Sequence, residues 1–244
     1  MVDLSESINI DGISIGLYKD GPIGVGISGG ADSAVLLYIL MSNITHTIHI
    51  YNMWTSKRQN AFGRAVDAVI ETCSKLTGNT NYVVHKVQSE PDESIEFYFN
   101  VLTEALDKKE IDIVYLGITS FPPKEVYLKF PSQQPDWHND FRSGEIEHPL
   151  FGLDIPLDKA ENFAEVPLTI DGKPTDSLTL DTRAYIPLFN HNKKHIAKLY
   201  RYYDLEKTLL PVTRSCENDE HLESHCGTCW WCQERIWAFG NLGE

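Results

Sequence analysis

Between Ile23 and Leu116 the sequence swings repeatedly from a short apolar run to a segment of helical periodicity, and this alternation constrains the fold more than any other feature. The apolar runs are Ile23–Ile27, Thr47–Tyr51, Tyr82–Val87 and Ile111–Leu116. Asp32–Met41, Phe62–Leu76 and Ser94–Leu106 separate them with helix-like spacing. Runs this short, bounded by turn residues, are strand-sized. Strands joined through helices cannot pair as hairpins, so each crossover returns the chain in parallel and with a right-handed turn. The expected fold class is therefore α/β, a parallel doubly wound sheet covered by helices on both faces. Ligands of such sheets sit beyond the carboxyl ends of the strands. That edge should gather the Gly29-Gly30 turn, the residues after Tyr51, and Gly117-Ile118-Thr119-Ser120.

After Leu116 the regularity fades. Prolines from Pro122 to Pro174 interrupt any long element, which predicts an irregular insertion over about 121–180 lying above the ligand edge. Tyr185-Ile186-Pro187-Leu188 and a helix over Asn192–Tyr202, with Asn192 as N-cap, resume the pattern. The 244 residues thus divide into an α/β domain, 1–205, and a C-terminal tail, 206–244.

Net charge is -14, which argues against a surface that grips nucleic-acid backbone, so no stable nucleic-acid binding is expected. A single nucleotide ligand remains compatible with that charge. Asp3, Glu6 and Asp11 follow Met1 where a signal peptide would carry basic and then apolar residues. No apolar run reaches the roughly 18 residues of a membrane helix. The expectation is a cytoplasmic protein without a membrane partner, for which a homodimer is compatible.

At Ser28-Gly29-Gly30-Ala31-Asp32-Ser33 a strand ends, two glycines permit close backbone approach, and a helix begins. Amides at the helix start and the hydroxyls of Ser28 and Ser33 can cradle phosphate oxygens. Asp32 can accept from the loop amides or help hold a divalent cation. The string is not a Walker A loop, lacking Gly-Lys-Ser/Thr. Gly24-x-Gly26-x-x-Gly29 spans the strand itself and is not a dinucleotide fingerprint. Gly-Gly alone would be an ordinary tight turn.

The whole string resembles the PP-loop of the N-type ATP pyrophosphatases, whose fold is the adenine nucleotide alpha-hydrolase-like one. The resemblance implies cleavage of ATP between the α and β phosphates with Mg²⁺, leaving an adenylylated substrate. It implies ATP contacts from Ile27, Ser28, Gly29, Gly30, Ala31, Asp32, Ser33 and Gly117, with Asp32, Ser33 and Lys193 as catalytic candidates. Lys193 and Lys194 stand at the start of a helix. Lys57, Arg58 and Arg64 form a second basic cluster, more simply read as a solvated helix start.

Four of the five cysteines crowd into the tail as Cys216, Cys226, Cys229 and Cys232. Four thiolates so spaced can close a tetrahedral Zn²⁺ site, with Gly227 allowing the Cys-x-x-Cys turn. Reduced buried thiols and an iron–sulfur cluster are the alternatives. His221 and His225 are spare candidates, and Cys73 reads as an inert core residue. Trp230 and Trp231 either pack the knuckle or stack on a planar base.

Thr213-x-Ser215-Cys216 and Cys226-Gly227-x-Cys229-x-x-Cys232-x-x-Arg235-x-x-Ala238-Phe239 resemble the C-terminal signature of the 7-cyano-7-deazaguanine synthases. Ile186-Pro187-Leu188 with Lys193-Lys194-His195-Ile196 is similar to that family's Pro-Leu…Ser-Lys-x-Glu-Ile segment, Asn192 replacing the serine and His195 the glutamate. Asp140-Phe141-Arg142 corresponds to a substrate-holding Asp-Cys-Arg segment, so Asp140 and Arg142 are substrate-binding candidates. The resemblance implies adenylylation of 7-carboxy-7-deazaguanine, amide formation with ammonia, and a second adenylylation that dehydrates the amide to the nitrile, as in queuosine biosynthesis. Zinc would be structural. The family's aromatic-Gly-Gln-x-His segment has no match in Tyr51–Gln59, and the insertion is longer than the family pattern. Three alternatives follow: a diverged enzyme activating another carboxylate, a thiolase acting on a tRNA base, and a non-catalytic nucleotide-binding module.

Overall fold

The computed structural model describes residues 4, 6–55, 59–89, 95–119, 122–123, 126, 129–130, 169–170, 173–174, 183–189, 191–216 and 224–243. An antiparallel hairpin comes first, β1 (Glu6–Ile10) and β2 (Ile13–Leu17). Then follow β3 (Ile23–Gly26), α1 (Ala31–Asn43), β4 (Ile48–Thr55), α2 (Gln59–Thr77), β5 (Tyr82–Ser89), α3 (Ile95–Asp107) and β6 (Ile113–Leu116). After the short antiparallel pair β7 (Thr169–Ile170) and β8 (Lys173–Pro174) come β9 (Ala184–Tyr185), α4 (Lys193–Tyr202), a 3₁₀ turn at Leu210–Val212 and α5 (Trp230–Phe239).

Five strands form one all-parallel sheet in the order β5-β4-β3-β6-β9. The predicted α/β alternation is what builds it. From β3 the chain progresses outward to β4 and β5, then crosses back to β6 on the other side. The order therefore reverses between β3 and β6, which makes a crevice at their carboxyl ends.

Strand side chains alternate between two cores. Ile23, Val25, Ile113 and Tyr115 pack with α1, α2 and α4, whereas Tyr51, Val114 and Leu116 pack with Tyr98, Phe99 and Leu102 of α3. The sheet is thus wound on both faces. Gly26 lets α3 come close: a Cβ there would lie 2.6 Å from the Tyr98 hydroxyl and 2.8 Å from Leu116 Cδ2. The glycines of the strand serve packing, which agrees with setting the Gly-x-Gly pattern aside.

The tail packs into the same core. Leu209, Leu210, Ala238 and Phe239 share the cluster that holds α1 and β3, and Tyr200 meets Phe239 edge-on at 5.4 Å. The hairpin β1–β2 docks through tyrosines: Gly16 N donates to the Tyr185 hydroxyl at 2.9 Å, and the Tyr115 hydroxyl donates to Gly16 O at 3.1 Å. Most of the predicted insertion, 121–180, lies outside the described residues. Among them, no helix is long and apolar enough to cross a membrane.

Candidate active site

The loop after β3 is gripped from three sides. Ile27 N donates to Tyr51 O at 2.9 Å, and Asn52 Nδ2 donates to Ile27 O at 2.9 Å, which anchors the strand end. Gly29 has φ +81°, and a Cβ on it would meet Ala65 Cβ at 3.2 Å and Val66 N at 3.3 Å. Both backbone shape and space therefore demand glycine. Arg214 N donates to Gly29 O at 2.8 Å, so the tail clamps the loop directly.

Inside the loop the hydroxyls of Ser28 and Ser33 stand 3.2 Å apart. Ser28 N reaches Ser33 Oγ at 3.3 Å, and Gly30 N reaches Ser28 Oγ at 3.3 Å. These are long bonds that an incoming anion could replace. Gly30 is the N-cap of α1 and offers no side-chain cap, so the first amides of α1 and its positive dipole end are available to an anion.

Gly117, at the end of β6, abuts this helix start. A Cβ there would sit 2.7 Å from Ser33 Cα and 2.9 Å from Ser33 N. Backbone cannot yield as a flexible side chain can. Gly117→Ala is expected to displace the Ser33 amide, cost on the order of 1–3 kcal/mol of stability, and weaken anion binding at the loop. Thermal unfolding and calorimetric titration with an ATP analogue would check both effects; an unchanged affinity would count against this placement.

Asp32 lies in the first turn of α1. Its Oδ2 accepts from Lys193 Nζ and, at 3.4 Å, from the Thr119 hydroxyl, while its Oδ1 is buried and has no hydrogen-bond partner among the described residues. Lys193 is 7% exposed, and Glu234 Oε2 lies 3.8 Å from its Nζ. Burial opposes charge on Lys193, but Asp32 and Glu234 outweigh it and raise its pKa above the ordinary lysine value. Burial pushes the Glu234 carboxyl up to about 7, against the pull of Lys193. One ammonium therefore serves two carboxyl groups, the half-buried Asp32 and the buried Glu234.

Lys193 is aimed by the start of α4. Asn192 accepts from Lys194 N at 3.1 Å, and Asn192 N donates to His195 Nδ1 at 3.2 Å. This is a capping box built from Asn and His. Burial and then Lys198 lower the pKa of His195, which favours the neutral ring that an acceptor nitrogen requires. Asn192 and His195 together therefore supply both halves of the cap at the start of α4. The Tyr200 hydroxyl, on the same helix, donates to Ala31 O at 3.0 Å and ties α4 to the loop.

His191, just before α4, is buried and its Nδ1 has no partner among the described residues. Burial, with His195 and Lys198, lowers its pKa to about 4. The unfolded chain binds a proton there near pH 6.5 and the folded chain only near 4. Its contribution to stability is therefore full above about pH 6.5 and fades as pH falls toward 4. His191→Leu is expected to flatten the acid-side loss by about 2 kcal/mol. Urea unfolding of both proteins at pH 7 and pH 4.5 reads the difference; parallel losses would sink the assignment.

In the tail the four predicted thiols converge. All four sulfurs lie within 4.8 Å of one another, with Cys226–Cys232 and Cys216–Cys229 each at 3.9 Å. Cys226 N donates to Cys216 Sγ at 3.4 Å and Cys229 N to Cys226 Sγ at 3.3 Å, contacts that favour thiolates. Gly227 has φ +74°, as the knuckle turn requires. This cluster is able to hold a metal ion. His225 stays outside it, its Nε2 accepting from Ser215 N at 3.3 Å. Cys73 is a core residue whose thiol burial pushes up to about 12.

Trp230 is fully buried, against Phe130 and Trp231, so it presents no face to a base; Trp231 packs on the cysteines. The knuckle-packing reading of both holds. Arg235 is fully buried and donates to the carbonyls of Leu210 and Leu242 and to the Thr213 hydroxyl.

The structure brings Ile27, the Ser28–Ser33 string, Gly117 and Lys193 to the β3–β6 crevice, with the cysteine cluster on the segment that clamps it. Lys57, Arg58, Asp140, Arg142 and His221 lie outside the described residues, and Arg64 is exposed. His49 and His85 bond to each other across β4 and β5 at 3.0 Å, away from the loop. Glu234 and Arg214 were not singled out from the sequence. Their signal was there: both adjoin the resembled signature, Glu234 between Cys232 and Arg235, Arg214 between Thr213 and Ser215.

No protein-family model matches this sequence, and no curated protein matches it either. Among solved structures, the chain is similar to the U34-tRNA thiolase NcsA from Methanococcus maripaludis with its 4Fe-4S cluster, at 13% identity and a TM-score of 0.39. The match covers 78% of this chain and 58% of that one, so this chain spans less than two thirds of that protein's length. At such a TM-score the likeness bears no weight, and the fold rests on the strand order described above.

Proposed function

We propose that the protein is an ATP-dependent ligase that cleaves ATP between the α and β phosphates to adenylylate a carboxylate. The observation that carries this reading is the orphaned Asp32 Oδ1, buried beside the uncapped start of α1. A buried carboxylate oxygen without a partner is costly, and a divalent cation held by Asp32 would satisfy it. Asp32 thus fits Mg²⁺, which when bound neutralises charge on the phosphate oxygens. The amides of the Ser28–Ser33 loop and the hydroxyls of Ser28 and Ser33 would hold the triphosphate. Lys193 would meet charge developing on departing pyrophosphate.

The finer substrate, 7-carboxy-7-deazaguanine converted with ammonia to the nitrile, draws its support from the tail signature and the capping box at α4. In that reading the oxygen of the acid, and later of the amide, leaves as AMP. Asp140 and Arg142 would hold the base.

For the cysteine cluster we favour zinc. A Zn–S length near 2.3 Å sets tetrahedral sulfurs about 3.8 Å apart, close to the 3.9 Å separations here. A four-iron cube places its own iron and sulfide atoms between the thiolates and needs them spread further. Outside the cluster only Cys73 remains, too buried to serve sulfur transfer.

The test incubates the protein with ATP, Mg²⁺, ammonia and the deazaguanine acid and identifies products by mass spectrometry. AMP, pyrophosphate and nitrile are expected. AMP without nitrile would move the assignment to another carboxylate; ADP and phosphate would overturn α–β cleavage.

A further inference from the structure

We propose that Glu234 is a positioning residue: it takes over the Lys193 ammonium when a divalent cation claims Asp32, and the cysteine knuckle sets it in place. This rests on the reading of the loop as a cation–ATP site. Asp32 has two oxygens in different states. Oδ2 is engaged by Lys193 and Thr119, while Oδ1 is buried and has no hydrogen-bond partner among the described residues. A dication at Oδ1 would bring like charge close to the Lys193 ammonium and weaken its hold on Asp32. A buried lysine deprived of its counter-charge is unstable. The other carboxyl group near it among the described residues is Glu234, whose Oε2 is 3.8 Å from Nζ.

A shift of about 1 Å in Nζ would turn that separation into a hydrogen bond. The lysine is the member free to make the move. Glu234 is 3% exposed and sits on α5 two residues after Cys232. Its neighbour Arg235 fixes that helix through Leu210, Leu242 and Thr213. Lys193 hangs on a flexible stem at the first turn of α4. A chain of fixed contacts thus runs from the cysteines through α5 and Glu234 to Lys193, and a parallel one from Arg214 N to Gly29 O.

Without the Glu234 charge, Lys193 should stay on Asp32 and compete with the cation. The test titrates α,β-methylene-ATP into wild type and Glu234→Gln by calorimetry across a Mg²⁺ series. Thermal unfolding and metal content are measured alongside. The Mg²⁺ concentration for half-maximal binding is expected to rise about tenfold, with affinity at saturating Mg²⁺ near wild type and Glu234→Asp restoring part of the shift. In a Lys193→Met background, Glu234→Gln should add nothing. An unshifted Mg²⁺ dependence, or the same shift without the lysine, overturns the proposal. If Glu234→Gln alone does not fold, adding Lys193→Met should restore folding by removing the stranded ammonium; failure to restore it also overturns the proposal. Absence of analogue binding to the wild type overturns the loop reading and this inference together, whereas normal binding with unshifted Mg²⁺ dependence overturns this inference alone.

Discussion

Asp32→Asn should abolish formation of AMP and pyrophosphate while leaving a folded chain. Asparagine keeps the shape of the side chain and an oxygen for the Thr119 hydroxyl, which now donates at 3.4 Å. It removes the negative charge that would draw a cation to the orphaned Oδ1. Loss of one preorganised charge in a dry site typically costs about 10²- to 10³-fold in rate. Here the same change also releases Lys193 from its direct partner, so a loss of at least about 10³-fold is expected. Stability should fall by only a few kcal/mol, because Glu234 remains 3.8 Å from the ammonium. A pyrophosphate-release assay paired with thermal unfolding separates the two effects. Retention of activity within tenfold of wild type, in a folded protein, would remove Asp32 from the metal-handling role.

The sheet was legible because its strands are short, apolar and spaced by helices. Ile23–Gly26 and Ile113–Leu116, buried on both faces, could be little else. The hairpin at Glu6–Leu17 was not anticipated, although its turn announces itself: Asp11 and Gly12 both take positive φ, 47° and 83°, as a two-residue hairpin turn requires. Asp-Gly between alternating isoleucines is a recognisable signal, but one easily lost beside the longer alternation that follows. The loop and the cysteines were legible for a different reason, since their chemistry depends on residues close in sequence. Glu234 and Arg214 were not, because their meaning depends on contacts with Lys193 and Gly29 across the fold. Asn192 and His195 lay between these cases: the cap was readable, whereas the reciprocal bond from Asn192 N to His195 needed the geometry.

With zinc in the cysteine cluster, as proposed, stripping the metal should disable the proposed nucleotide site even though no cysteine touches that loop. Structural zinc contributes apparent free energies of about 10 kcal/mol or more in small knuckles, comparable with the whole stability of a typical domain. The loss would not stay local. Ala238 and Phe239 belong to the core that holds α1 and β3, and Arg235 ties α5 to Leu210 and Thr213. Next to Thr213, Arg214 N clamps Gly29 O, the carbonyl of a loop glycine whose replacement would strain the backbone. Metal removal with a strong chelator is therefore expected to lower Tm by more than about 10 °C and to eliminate binding of α,β-methylene-ATP, with both recovered on adding Zn²⁺. Cys232→Ser should reproduce this more severely than Cys226→Ser, because Cys232 is fully buried whereas Cys226 is partly exposed and water can partly replace its contacts. A metal-free protein that melts within a few degrees of the loaded one and binds the analogue equally well would sever the knuckle from the loop. The reverse outcome would make the cluster the keystone of the nucleotide site, acting through Arg214 and Glu234 rather than through any bond to the substrate.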